Sequence, residues 1–304
     1  MKKSLLKQSA QGSQLLKRNR LEIIKADIKM NITAQQVNEL RKITRAGMME
    51  CKKALIESEG DVEKAIDILR KKGQKVAANR ADRSANEGVV LAKVSDDKTF
   101  AAAVMVNCET DFVAKNADFI AYTESVLDTA IKNKVKNIDE LRSTDLNGHT
   151  VEETITNQTG VIGEKIELGK YELVEAASAY AYIHPGNRIA TIAGFNKAGD
   201  FDAEGKDVVM QIAAMAPVSL SKDDVPADVV AHEIEIGKDM ARQEGKPEEL
   251  LEKIAMGKLN KFFKENTLLN QAFIKDSKKS VAEYLKAKDK DLTVVGFKRI
   301  ALGS

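Results

Sequence analysis

The amino-acid sequence predicts an α+β protein, because helical and β patterns occupy separate segments of its 304 residues. Residues 33–73 place apolar side chains at helical spacing three times in succession. Residues 88–106 contain two β runs around a four-residue loop at 95–98. Residues 224–266 return to helical spacing on both sides of a Gly-Lys-Pro break. We therefore expect a three-helix N-terminal module, a two-part α+β core with antiparallel sheet, and an inserted helical hairpin.

Composition excludes several classes of protein. Charged residues make up 31% of the chain and apolar residues 43%, which is typical of a soluble folded protein rather than a disordered one. No stretch approaches the 18 or more apolar residues of a membrane span, so we expect no membrane partner. The two cysteines, Cys51 and Cys108, lie in different segments, which argues against a disulfide framework and favours a reducing, cytoplasmic location.

The net charge of +2 is unevenly distributed. Residues 1–29 carry eight Lys/Arg and two acidic side chains, which leaves residues 30–304 with a net charge of −4. A body of that charge has no global attraction for nucleic acid, so we expect no direct nucleic-acid contact from it. We interpret 1–29 as a basic extension that is disordered or upstream of a true start at Met30. A targeting segment and a nucleic-acid arm are the alternatives.

The N-terminal module, residues 30–73, is predicted to form three short helices. Thr33 is placed to cap the first, and Gly60 to end the second in a left-handed conformation. Asp61 is placed to cap the third, which we expect to stop at Gly73. A module of about 40 residues has a marginal core, so docking on a partner or a neighbouring domain is plausible.

Residues 88–160 form the first half of the predicted core, after a linker at 74–87 that is helical or mobile. The buried strand at 100–106 leads into a polar turn, and a long helix is expected to follow from Asp111 through Ala130. A polar helical segment is then expected over 137–159.

The turn at 107–115, Asn-Cys-Glu-Thr-Asp-Phe-Val-Ala-Lys, allows two interpretations. In the first, Asp111 caps the helix and Phe112 packs inward as a hydrophobic staple. In the second, Thr110 caps the helix, while Asp111 and Phe112 project from a rigid turn into a partner protein. Spacing alone favours the first interpretation.

Residues 161–223 form the second half of the predicted core. Its expected strands and helix follow in order at 165–176, 178–183, 188–195 and 207–216. Residues 224–266 are predicted to be an antiparallel helical hairpin. Residues 267–304 are a C-terminal module, with a helix at 277–286 and a strand from Thr293, that completes the core. We expect all the strands of the core to form one sheet layer covered by helices.

Signatures of catalysis are missing from the sequence. No glycine-rich phosphate loop is present, and the three histidines, His149, His184 and His232, lack metal-ligand spacing. His184 is delivered by a strand to the tight turn at 184–187, yet a lone histidine in a turn is more often a hydrogen-bonded spacer than a catalyst. We predict that the protein is not an enzyme and binds neither a metal nor a cofactor.

Two long motifs carry a family resemblance. One is the turn at 107–115, and the other is Leu-Arg-Lys-Ile-Thr-Arg-Ala-Gly-Met-Met-Glu-Cys-Lys-Lys-Ala-Leu at 40–55. Together they resemble the elongation factor Ts family, whose N-terminal signature reads Thr-Gly-Ala-Gly-Met-Met-Asp-Cys-Lys-Lys-Ala-Leu. The chain departs from it in having Arg45 and Glu50, and an added proline in the turn at 184–187. The resemblance covers about residues 30–303.

The resemblance implies a ubiquitin-associated-like N-terminal module and a guanine-nucleotide exchange factor of translation elongation. Such a factor would bind elongation factor Tu·GDP, displace Mg²⁺ and promote GDP release. The residues matching those assigned to Mg²⁺ displacement are Thr110, Asp111, Phe112 and Val113. Further implied contacts with the G domain of elongation factor Tu come from Arg41, Met48, Met49, Lys52, Ile162, Gly163 and His184. On this resemblance, the second interpretation of the turn becomes the preferred one.

Other functions stay open at this point. A non-catalytic adaptor would use the three-helix module to bind a ubiquitin-like or ribosomal partner without nucleotide exchange. An RNA-binding protein would use the basic extension at 1–29. The helical hairpin is also a candidate contact for a homodimer.

Overall fold

The computed structural model describes residues 32–44 and 46–303, which fall into two compact units. Of the described residues, the first unit comprises those up to Ser84 together with Glu153–Ile166, and the second comprises Ala85–Glu152 together with those from Glu167 onwards. The predicted basic extension at 1–29 lies outside the described residues. Helices and antiparallel sheets occur in separate segments, so the predicted α+β class is confirmed.

The described residues form eleven α-helices, one 3-10 turn at Lys222–Asp224 and eight strands. In chain order they are α1 (Ala34–Thr44), α2 (Met48–Glu57), α3 (Val62–Asn79), β1 (Glu87–Val94), β2 (Phe100–Cys108), α4 (Asp111–Ala114), α5 (Ala117–Asn133), α6 (Ile138–Ser143), α7 (Val151–Ile162), β3 (Glu167–Glu175), β4 (Ser178–Ile183), β5 (Ile189–Phe195), α8 (Asp202–Met215), α9 (Ala227–Gln243), α10 (Glu248–Asn266), β6 (Ala272–Phe273), β7 (Asp276–Ser280), α11 (Val281–Lys288) and β8 (Val294–Ala301).

The helix ends of the first unit follow the predicted caps. The Thr33 hydroxyl accepts a hydrogen bond from the backbone N–H of Gln36 at 3.2 Å, and Asp61 accepts one from that of Lys64 at 3.1 Å. Gly60 adopts a left-handed φ of +84° after α2, as expected for a helix end. The core of this unit is small and aliphatic, and consists of Val37, Leu40, Ala46, Cys51, Ala54, Leu55 and Ala65.

The third helix continues past its predicted end at Gly73. Helix α3 runs to Asn79, so about half of the predicted linker at 74–87 is helical. Gly73 is buried inside the helix, where its backbone lies against the backbone of Gly160 in α7. Its role is therefore close helix packing rather than termination. The same contact explains why residues 153–166 group with the N-terminal helices and not with the predicted core half at 88–160.

The second unit contains two three-stranded antiparallel sheets where one sheet layer was predicted. The first has the order β1-β2-β3, and the second has the order β4-β5-β8. The inner faces of the two sheets share one apolar cluster, in which Ala103 and Val174 come from the first sheet and Ile192 and Ile300 from the second. Helix α5 packs on β1 and β2, which leaves β2 buried along its whole length.

The second sheet has a further apolar layer on its other face. Successive side chains of a strand point to opposite sides, so Tyr180 and Phe195 meet helix α8, while Ala179 and Ile192 face the first sheet. Helix α11 completes this layer through buried side chains such as Leu285. It begins only at Val281, because residues 276–280 form strand β7 instead of the predicted first helical turn.

Two other predicted helical segments have different limits. Helix α8 starts at Asp202, five residues before its predicted start at Asp207. The segment at 137–159 is two helices, α6 and α7, since Asn147 and Gly148 adopt left-handed φ values of 60° and 84° in a turn between them. Such a turn stops helical hydrogen bonding.

The helical hairpin is confirmed as α9 and α10, joined by a turn in which Gly245 has a φ of +72°. Gly237 allows the two helices to approach closely, since a Cβ atom there would lie 3.0 Å from the Cα of Ala255. None of the helices in the described part of the chain is long and apolar enough to cross a membrane.

Candidate functional site

The turn at 107–115 is carried by the most enclosed strand of the second unit. Asn107, at the end of β2, is 6% exposed, and its side-chain Nδ2 donates a hydrogen bond to the carbonyl of Glu87 at 3.2 Å. Its Oδ1 lies so close to Gly169 of β3 that any Cβ atom at 169 would overlap it. Strands β1 and β3 therefore hold the Asn107 side chain from both sides, and the turn starts from a fixed point.

Thr110 forms the cap of the short helix α4. Its hydroxyl accepts a hydrogen bond from the backbone N–H of Val113 at 3.5 Å, and its carbonyl accepts one from the Cys108 thiol at 3.2 Å. The prediction that Thr110 caps the helix is confirmed, and the alternative that Asp111 does so is wrong. Asn116 caps α5 separately, which divides the helix that was predicted to run unbroken from Asp111.

Phe112 projects from α4 with 83% of its surface exposed, so the interpretation of an inward-packed staple is wrong. Asp111 precedes it, and its Oδ2 accepts a charge-assisted hydrogen bond from Lys115 Nζ at 2.6 Å. This hydrogen bond lowers the pKa of the Asp111 carboxyl, which therefore stays ionised at neutral pH. Val113 is half-buried beside them. The turn thus presents a large apolar ring next to a fixed negative charge.

His184 lies at the start of the tight turn between β4 and β5. Pro185 followed by Gly186, with a φ of +92°, is the residue pattern of a type II turn. The backbone N–H of His184 donates to the carbonyl of Ile189 at 2.9 Å, and its own carbonyl accepts from the N–H of Asn187 at 3.0 Å. The imidazole is exposed, and its Nδ1 lies 3.1 Å from the hydroxyl of Tyr182.

The structure brings the His184 turn and the Phe112 turn to the same end of the second unit. Glu87, the first residue of β1, pairs in register with Cys108 and accepts the Asn107 hydrogen bond on its carbonyl. Its carboxylate accepts a hydrogen bond from Arg188 Nη1 at 2.6 Å, directly after the His184 turn. Sequence reasoning missed Glu87, because two opposite charges 101 residues apart form no local pattern.

The remaining predicted contacts belong to the first unit. Met48 and Met49, at the start of α2, are 55% and 63% exposed, while the next core position, Cys51, is fully buried. Arg41 is exposed and Lys52 is half-buried. Ile162 and Gly163 lie where α7 ends, and Gly163 adopts a left-handed conformation. Six predicted site residues are therefore in this unit, and five are in the second.

Metal-binding side chains do not cluster in the described ranges, 32–44 and 46–303. No group of three or more His, Cys, Asp or Glu side chains there could hold a metal ion. Cys51 and Cys108 are both buried, and both are in the thiol form rather than in a disulfide.

Comparison with known proteins gives one consistent match. The family model described as "Elongation factor TS" matches residues 109–304. A curated protein of Christiangramia forsetii, "Elongation factor Ts", is 53% identical over 273 residues, which cover 90% of this chain and 99% of the relative. The proteins of the same name from Flavobacterium psychrophilum and Porphyromonas gingivalis are 52% and 50% identical, and each alignment again covers 90% of this chain and at least 99% of the relative.

Proposed function

Because this chain belongs to the elongation factor Ts family and is thus a translation elongation factor, we propose that it is the guanine-nucleotide exchange factor of elongation factor Tu. The observation that carries the proposal is Phe112, an aromatic ring that is 83% exposed on a turn anchored by a fully buried strand. An exposed aromatic side chain on a rigid support loses little conformational entropy on binding, which suits insertion into a partner.

Displacement of Mg²⁺ is the proposed mechanism. Elongation factor Tu·GDP would hold Mg²⁺ through octahedral oxygen ligands, some of them from the nucleotide phosphates. Phe112 would wedge between side chains of the G domain, beside the charge of Asp111, and shift the elements that support those ligands. His184 would act on the side of the phosphate-binding loop. Thr110 and Val113 contribute by holding α4 in the presenting conformation, through the hydrogen bond between them.

The energy that this mechanism requires is modest. Binding of the exchange factor and binding of nucleotide weaken each other by the same factor, because the two equilibria are linked. Each 1.4 kcal/mol of differential binding changes nucleotide affinity about tenfold. One aromatic hot spot contributes about 2–4 kcal/mol, so a single wedge side chain is enough for a large acceleration of release.

The first unit would supply docking contacts rather than the wedge. Its three most exposed large apolar side chains, Ile43, Met48 and Met49, lie at 55–63% exposure, although apolar side chains of this size are usually withdrawn from water. Methionine adapts to irregular partner surfaces, and the exposed Arg41 adds a charge to the same helical module. Lys52, Ile162 and Gly163 complete the proposed contact set.

The test is release of a fluorescent GDP analogue from elongation factor Tu, measured by stopped flow. We expect micromolar amounts of the full chain to accelerate release, and we expect excess Mg²⁺ to reduce the acceleration. Release at the intrinsic rate over the whole concentration range would refute the exchange function. Binding of the chain to a ubiquitin-like or ribosomal partner through the three-helix module, with no change in nucleotide release, would instead favour the alternative adaptor function.

A homodimer through the helical hairpin stays a prediction. Four large apolar side chains of the hairpin, Ile236, Met240, Leu250 and Met256, are between 38% and 47% exposed. Analytical ultracentrifugation of the chain, with and without charged substitutions at Met240 and Leu250, measures whether these side chains hold two copies together.

A further inference from the structure

We propose that Tyr182 is a positioning residue for His184. Its hydroxyl donates a hydrogen bond to Nδ1 of the imidazole and so holds the proton of the neutral ring on Nε2. His184 then presents a fixed N–H donor toward an oxygen acceptor of the partner. The inference deepens the exchange function proposed above and rests on it for its functional consequence, while the hydrogen bond itself can be tested on the isolated protein.

The position of Tyr182 follows from strand geometry. Tyr180, Tyr182 and His184 occupy every second position along β4 and the residue that follows it, so their side chains point to the same side of the sheet. This is the side covered by α8, and the ring of Tyr182 packs on the buried cluster that includes Tyr180 and Phe195. Packing of the half-buried ring on this cluster leaves the hydroxyl oxygen little freedom to move.

The contact with His184 has the geometry of a directed hydrogen bond. Tyr182 Oη lies 3.1 Å from Nδ1, and the two rings meet edge to face with their centroids 6.0 Å apart and an interplanar angle of 62°. Among the side chains that the structure describes, Tyr182 is the one that hydrogen-bonds the His184 ring. The backbone of His184 is held at both its N–H and its carbonyl, so the ring has a fixed origin.

The direction of the hydrogen bond follows from acid–base chemistry. A phenol, with an ordinary pKa near 10, is a good donor, and the unprotonated nitrogen of a neutral imidazole is a good acceptor. The reverse arrangement would pair a weak imidazole N–H donor with a weakly basic phenol oxygen. We therefore assign the donor role to Tyr182, which fixes the tautomer of His184 in the way that a hydrogen bond to one ring nitrogen generally does.

A fixed tautomer and a fixed ring orientation matter because the exposed imidazole of His184 would otherwise rotate and sample both tautomers. With the proton on Nε2, the outward-facing nitrogen donates to carbonyl or phosphate oxygens. With the proton on Nδ1, it would present a lone pair to the same oxygens and repel them. Tyr182 thus increases the fraction of molecules that are ready to bind, without touching the partner itself.

The hydrogen bond is tested by nitrogen NMR on the full chain, with ¹⁵N-labelled histidine at a pH where the rings are neutral. His184→Gln identifies the His184 signals among those of the three histidines. We expect Nε2 to carry the proton and Nδ1 to be unprotonated. In Tyr182→Phe we expect the Nδ1 signal to move while those of His149 and His232 stay in place. A proton on Nδ1 in the wild type, or an unchanged Nδ1 signal in Tyr182→Phe, overturns the proposal.

The functional consequence is tested in the nucleotide-release assay. Loss of one orienting hydrogen bond should slow the accelerated release about three- to tenfold in Tyr182→Phe. The matched control is Tyr180→Phe, because Tyr180 lies on the same side of the sheet and its buried hydroxyl makes no hydrogen bond to the His184 ring. We expect this control to match the wild type.

The assay separates two failures. Should the wild type fail to accelerate release, the exchange function is wrong, and the NMR result still decides the Tyr182 contact. Should the wild type be active and Tyr182→Phe equally active, the positioning role is wrong. An activity loss in Tyr182→Phe that His184→Gln does not share would overturn the proposal in the same way, because Tyr182 would then act by another route.

Discussion

Phe112→Ala should reduce function much more than stability, because the Phe112 side chain is placed to contact another molecule rather than the core of its own protein. The ring is 83% exposed, so folding withdraws only about one sixth of its surface from water. For a side chain of about 200 Å², this is roughly 35 Å². At about 25 cal/mol per Å², the loss to the free energy of unfolding is at most about 1 kcal/mol.

The loss of function should be much larger. A wedge that becomes buried in a partner behaves as an interface hot spot, for which truncation costs about 2–4 kcal/mol. Because each 1.4 kcal/mol is a tenfold change in affinity, this corresponds to a reduction of roughly 30- to 700-fold in the efficiency of nucleotide release. The efficiency is the slope of the release rate of a fluorescent GDP analogue against the concentration of the variant, measured at low concentration.

A buried phenylalanine on β2, the strand that leads into the turn, provides the control. Phe100, at the start of β2, is fully buried, and its truncation should lower the free energy of unfolding by about 3–5 kcal/mol. Urea denaturation of both variants measures the contrast. The reasoning is refuted if Phe112→Ala unfolds as easily as Phe100→Ala, or if it keeps the wild-type release efficiency while staying folded.

Three further substitutions test how the structure holds the site and the first unit. Lys115→Met should raise the pKa of Asp111 toward the ordinary value of an aspartate carboxyl in an NMR titration of carboxyl carbons, since the ion pair now depresses it. The pair therefore stabilises the fold above the ordinary pKa of an aspartate and loses its effect as the pH falls through the lowered pKa. An unchanged pKa would contradict the ion pair. Gly169→Ala should displace the Asn107 side chain from its place between β1 and β3 and lower the free energy of unfolding by about 1–3 kcal/mol. An unchanged Tm would show that this side chain moves aside without cost. Gly160→Ala should force α3 and α7 apart at a similar cost of about 1–3 kcal/mol in urea denaturation, and wild-type stability would mean that the close backbone contact is dispensable.

The candidate site shows where sequence reasoning stops. Spacing alone favoured a cap at Asp111 and an inward staple at Phe112, and both are wrong. Spacing cannot separate them from a wedge, because both interpretations need the same residues at the same positions. The family resemblance favoured the wedge, and the exposure of Phe112 now excludes the inward staple. The cap at Thr110 was predictable, since capping depends on residues only three positions apart.

Contacts between distant segments were not predictable. Glu87 and Arg188 link the Phe112 turn to the His184 turn. Tyr182 hydrogen-bonds His184, because one strand and the turn after it place both side chains on the same side. The first of these contacts needs the folded sheets to exist. The second could have been found from the alternation of side chains along β4, if the turn had been known to continue the strand.

Local physical chemistry therefore explains the features that could be predicted from the sequence alone. They are the α+β class, the helical hairpin, the caps at Thr33 and Asp61, and the motif that carries Phe112. Hydrophobic periodicity and capping act within a few residues, so they are readable along the chain. Tertiary contacts alone decided that the strands form two sheets, that residues 153–166 join the N-terminal helices, and that Phe112 faces solvent. These outcomes depend on which distant surfaces pack together, and no local pattern encodes that choice.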